Sequence, residues 1–167
     1  MVDTVRITER PDLSVASILA RRGATTAAIG GAIGIDMPLG PTWVAAERFI
    51  MMGTGPGSWL AVGHDDGSDG CGDLGDRLTG LASVSDQTGA YRLFRVEGPD
   101  ARTLLQRGAY IDLDGVAFPA GAVGVTMIGH VDVIIRNITD GHCYEVAVYR
   151  SYTDSFMRWA DAACAGL

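Results

Sequence analysis

Asp112 and Asp114 stand two residues apart in the run Tyr-Ile-Asp-Leu-Asp, and on extended backbone that spacing turns both carboxylates to one face. Buried together, such a pair shares a raised pKa and can do acid and base chemistry; in a glycine-flanked segment, capping a solvated turn is the simpler role. His130 and Asp132 follow in "GHVDVII", a base and a carboxylate with no nucleophile beside them. In "HDDGSDGCGDLGD", Asp65, Asp69, Asp73 and Asp76 imitate part of a calcium loop with Gly70 at the turn. Gly67 replaces a ligand there, Gly72 an apolar anchor and Asp76 the bidentate Glu, so a solvated loop is expected. None of His64, His130 and His142 lies four residues from another, and the neighbours His142 and Cys143 would point to opposite faces of a strand.

The glycine-rich runs offer no better site. "IGGAIG" lacks the preceding strand and the downstream acid of a dinucleotide fingerprint, and "GTGPGS" lacks the phosphate-reaching Lys of a P-loop. No nucleophile elbow is present, and Cys143 lies mid-strand, where a thiol packs. The residues therefore assemble no complete catalytic, cofactor or metal set.

Composition narrows the classes. At 167 residues the chain suits one compact domain or two small lobes, and 47% hydrophobic with 20% charged residues is globular. A net charge of −7 opposes binding to a phosphate backbone, so nucleic acid is excluded as the main partner. Three scattered cysteines argue against a disulfide framework and for free thiols in a reducing compartment. The polar start "MVDTVRITERPDLS" lacks a signal peptide's apolar region, and no apolar run approaches the ~20 residues of a membrane span. A cytoplasmic location without membrane contact is expected.

The elements follow from periodicity. "SVASILARR" (14–22) places Val15, Ile18 and Leu19 at helical spacing between a Ser14 cap and a Gly23 stop, so a short helix is predicted. The Gly/Pro-rich stretch 23–41 reads as an extended apolar arm. Runs 43–52 and 58–63 flank "GTGPG" and form a hairpin anchored by Trp59 and Leu60; Leu74, Leu78 and Leu81 mark a helix. "YRLFRVEGPDARTLLQRG" gives strand, then helix with Pro99 near its first turn and Ala101, Leu104 and Leu105 inward. Residues 125–138 read as one strand, joined through "TDG" to 143–150, where Tyr144, Val146 and Val148 alternate with Glu145 and Ala147. A last helix puts Tyr152, Phe156, Trp159, Ala160 and Ala163 on one face, with Ser, Thr and Asp as caps. Strand, helix, strand, strand, helix is most of a ferredoxin-like split βαβ layout, and the earlier hairpin and helix look like a partial repeat. The fold class is thus α+β with antiparallel sheets and helices, divided into an N-terminal helix and arm (1–42) and an α+β core (43–167) of one domain.

The ordered pieces "GPGSWLAV", "LASVSDQTGAYRLFRVEGPDARTLLQRGAYIDLDGVAFPAG" and "YEVAVYRSYTDSFMRWADAA" resemble the gamma subunit of heterotetrameric sarcosine oxidase, from about Pro56 to Ala163. That family is similar in fold to the N-terminal folate-binding domain of aminomethyltransferases. The resemblance implies a small, non-catalytic subunit of a flavoprotein that oxidatively demethylates sarcosine or a related N-methyl amine. It also implies alpha, beta and delta subunits as partners, with alpha as the main contact. FAD, FMN, NAD, tetrahydrofolate and zinc would belong to those other subunits. In the aminomethyltransferases a Gly-rich turn leads into a strand carrying the catalytic acid, and the comparable "GHVDVII" leaves Asp132 as the one candidate catalytic residue. The alternatives are a stand-alone folate-binding aminomethyltransferase-like protein with Asp132 in its pocket, or a scaffold subunit of another complex.

Overall fold

Backbone pairing in the computed structural model, which describes residues 4–11, 13–64 and 69–167, sorts the strands into two antiparallel sheets. In chain order the elements are β1 (Arg6–Arg10), β2 (Val15–Ala20), α1 (Thr26–Ile33), β3 (Trp43–Ala45), β4 (Phe49–Gly55), β5 (Ser58–Gly63), α2 (Leu74–Arg77) and β6 (Ala82–Asp86). There follow β7 (Tyr91–Glu97), α3 (Ala101–Gln106), β8 (Val123–Ile128), β9 (Val131–Thr139), β10 (Cys143–Tyr149) and α4 (Thr153–Cys164). The α+β reading with antiparallel sheets holds. No helix among the described residues is long and apolar enough to cross a membrane.

The segment between Pro11 and Ala90 forms one compact unit. Its sheet runs β3-β4-β5-β2-β6; without the edge strand β3, that is the order of a complete split βαβ unit built from β2, α1, β4, β5, α2 and β6. The helices cover one face, where Ile18, Met51 and Trp59 meet Ile29, Leu74 and Leu78. The predicted β4–β5 hairpin is present, with Met51 opposite Ala61 and Met52 opposite Leu60.

Two expectations fail here. The segment 14–22 is a strand, not a helix: β2 lies between β5 and β6 and buries Val15 and Ala16 as well as Ile18. Neighbouring Val15 and Ala16 are both buried while Leu19 is exposed, so the strand lacks a clean alternation and its short apolar run imitates helical spacing. Ser14 caps no helix; its hydroxyl accepts from the Cys71 amide at 3.2 Å. The stretch 23–41 is not wholly an arm, because α1 occupies its middle. Thr25 accepts from the Ala28 amide at 3.1 Å as N-cap, and Gly34 ends the helix at φ 75°. Gly30 is needed in α1 because a Cβ there would sit 2.5 Å from the Ile35 carbonyl oxygen.

Ala90–Leu167, with the N-terminal residues through Pro11, forms the other unit. Its sheet order is β1-β7-β10-β9-β8. β7, α3, β9, β10 and α4 repeat the split βαβ layout, and β1 fills the fourth-strand place beside β7, with Thr8 opposite Arg95. Sequence reading missed β1 because its alternation is charged rather than apolar. Phe94, Val96, Tyr144 and Val146 face Leu104, Leu105 and Phe156 across the core. Fully burying Phe156, whose ring lies 5.5 Å from that of Phe94, contributes about 1.5–3 kcal/mol.

The single strand predicted at 125–138 is a hairpin. Gly129 (φ 58°) and His130 (φ 66°) form its two-residue turn, matching a type I′ geometry that Gly-His does not announce as Asn-Gly would. Trp159 of α4 fills the space over Gly108 and Gly129, where a Cβ would approach within 2.5 and 2.3 Å. The final helix forms as predicted but without side-chain capping; a short 3-10 turn at Arg150–Tyr152 leads into it, and Tyr152 is exposed.

Candidate functional site

The carboxylates singled out by sequence separate into different roles. Asp112 accepts from the Asp114 amide at 2.9 Å, and Asp114 from the Val116 amide at 3.0 Å. Both are exposed on successive Asx turns, so they shape the crossing from α3 to β8 rather than share a proton. Asp73 pairs with Arg48 at 3.0 Å and Arg77 at 3.8 Å, while Asp65 lies outside the described residues. No group of three His, Cys, Asp or Glu able to hold a metal ion occurs among the described residues. His64 lies 2.8 Å from the Ala46 carbonyl oxygen through Nε2, and His142 is exposed in the β9–β10 turn.

Asp132 stands exposed on β9, opposite Met127 of β8, and its carboxylate makes no hydrogen bond or ion pair among the described residues. Its neighbour His130 lies 2.9 Å from the Tyr110 hydroxyl through Nδ1, at the open tip of the hairpin. Four surface grooves center on Arg48 and Arg77, on Ser14 and Cys71, beside α1, and between Arg102 and Asp112; Asp132 lines none of them. A pterin needs a concave, largely apolar pocket with a few converging polar groups.

The polar constellation that the fold does bury was missed. Glu145 of β10 is only 2% exposed and sits on the sheet face away from α3 and α4. Strand register brings Arg136 of β9 and Arg95 of β7 level with it. Arg136 Nε donates to its Oε2 at 2.8 Å, Arg10 of β1 donates to Oε1, and Arg95 lies 4.0 Å away. Burial pushes the Arg136 guanidinium down from its ordinary pKa, and the adjacent Glu145 charge opposes that shift. A carboxylate held by guanidinium donors is an ionic staple joining β1, β9 and β10. In the sequence Glu145 looks like the solvent half of an alternating strand; the available cue was arginine on three other strands.

Two antiparallel sheets of split βαβ layout, each with its helices, define an α+β protein. The structure is similar to a chain of heterotetrameric sarcosine oxidase from Corynebacterium sp. U-96, with TM-score 0.86 and 20% identity over 99% of this chain and 87% of that one. It is also similar to the glycine cleavage system aminomethyltransferase T from Bartonella henselae, with TM-score 0.65 and 11% identity; 94% of this chain spans 45% of that one. No curated protein matches the sequence. The model of the sarcosine oxidase gamma subunit family matches residues 19–166, and the chain belongs to that family.

Proposed function

We propose that this chain is a non-catalytic structural subunit of a heterotetrameric flavoprotein that oxidatively demethylates sarcosine or a related N-methyl amine. The observation that carries the reading is the family match across residues 19–166. The similarity to a chain of a heterotetrameric sarcosine oxidase agrees with it in fold. The side chains support a structural role: Asp112 and Asp114 serve turns, Glu145 is committed to arginines, and Asp132 stands outside the four grooves. In this reading the chain works in the cytoplasm and packs mainly against the large alpha subunit, alongside beta and delta. FAD, FMN, NAD, tetrahydrofolate and zinc reside on those companions.

The test is activity with and without the companions. The purified chain is expected to be colourless and inactive toward sarcosine, and co-expression with alpha, beta and delta to give flavin-dependent N-methyl amine oxidation. Turnover by the isolated chain would overturn the assignment.

A further inference from the structure

We propose that the outer edge of β8 is a docking edge, on which an extended strand of a larger companion subunit adds to the sheet. The inference rests on the subunit reading above and names where the partner sits. β8 is the last strand of its sheet. The Asn137 amide donates to the Ala122 carbonyl, so residues of even number along β8 bond to β9, and Val123, Val125 and Met127 turn their amides and carbonyls outward. The Tyr110 amide takes the Met127 carbonyl, and no other backbone partner meets this edge at Val125 among the described residues.

Edges of this kind template foreign strands unless they are short, charged or covered. β1 carries Arg6, Glu9 and Arg10; β3 is three residues long; β6 is serine-rich and ends at Asp86. β8, with the sequence Val-Gly-Val-Thr-Met-Ile, is six residues long and uncharged, and is covered at its Met127–Ile128 end by residues 108–110. It instead displays Val125 at 60% and Met127 at 36% exposure, beside Tyr110 at 62%. Aliphatic, Met and Tyr side chains next to unpaired backbone are what strand addition uses: main-chain bonds for affinity and alternate side chains for specificity.

The occupant follows from shape and charge. Residues 108–110 close one end of the edge through the Ala109–Ile128 bridge, so the incoming strand ends or turns beside Tyr110. A second copy fits poorly: paired about Val125, its own β8 would continue into residues 108–110, and each copy carries a net charge of −7. A different chain with an apolar alternating strand and a Lys or Arg reaching the exposed Asp132, on the same face as Met127, meets both conditions.

The experiment compares residue-resolved amide exchange of the free chain and of the complex co-expressed with alpha, beta and delta. Strand addition slows the Val125 amide by about tenfold or more, while Gly124 and Thr126, already bonded to β9, change little. Unchanged exchange at Val125 in an assembled complex overturns the edge and leaves the subunit reading intact; failure of the wild-type chain to assemble overturns both. Val125→Pro removes the outward donor without touching the β9 ladder, and Val125→Lys charges the edge if the proline variant does not fold. Either folded variant should weaken assembly about tenfold or more, whereas Val116→Lys, at another exposed apolar site, should not. Folded Val125 variants that assemble like wild type, or that only split a self-dimer, contradict the proposal.

Discussion

At the residue scale, the buried Glu145 staple and the exposed Asp132 make opposite predictions. Glu145→Ala leaves Arg136, itself 5% exposed, beside an empty carboxylate position, and breaking a buried pair in this way typically destabilises by about 3–5 kcal/mol. Asp132→Ala removes a solvated group without a partner among the described residues and should shift stability by no more than about 0.5 kcal/mol. Urea unfolding of both variants checks the contrast; equal effects would contradict the assignment of roles. The thiols make a second prediction. Burial raises the Cys71 pKa above its ordinary 9.0, opposed by the Ser14 hydrogen bond. Folding thus retains its proton: the contribution to stability is complete below the unfolded value and is lost as pH rises through the native one. At pH 8 a disulfide reagent should modify Cys143 and Cys164, which are only partly buried, before Cys71. Modification of Cys71 first would contradict this packing.

At the element scale, β1 is the piece whose removal tells most. It occupies the fourth-strand position beside β7 and brings Arg10 to Glu145. Deleting residues 1–11 bares one side of β7 and strips a donor from a buried carboxylate, so a loss of about 3 kcal/mol or more is expected in chemical denaturation. A synthetic peptide of residues 1–11 should restore part of it, and an unchanged midpoint would rule out this role. The same elements show what the sequence made legible. The β4–β5 and β9–β10 hairpins could be read from the turn residues in GTGPG and TDG, the β7–α3 step from Gly98-Pro99, and α4 from its apolar period. β2 could not, since Val15, Ile18 and Leu19 fall at helical spacing and no clean alternation opposes it; nor could α1, whose paired glycines resemble a loop. The β8–β9 turn was hidden because Gly129-His130 interrupts an otherwise continuous apolar run. The candidate site was less legible still. Glu145 becomes a buried ion-pair center only when β1, β7, β9 and β10 come together, and those contacts join residues far apart in sequence.

At the scale of the whole molecule, two split βαβ units account for the chain, and family membership gives it its place in an assembly. Within that reading its chemistry is contact chemistry: an ion-paired interior, solvated turn carboxylates and an open edge at β8. The most direct measurement is native mass spectrometry of the chain co-expressed with alpha, beta and delta subunits. The account predicts one complex containing a single copy of this 17.5 kDa chain with one copy of each companion. A flavoprotein complex that forms without it, while the chain remains free, would contradict the central claim.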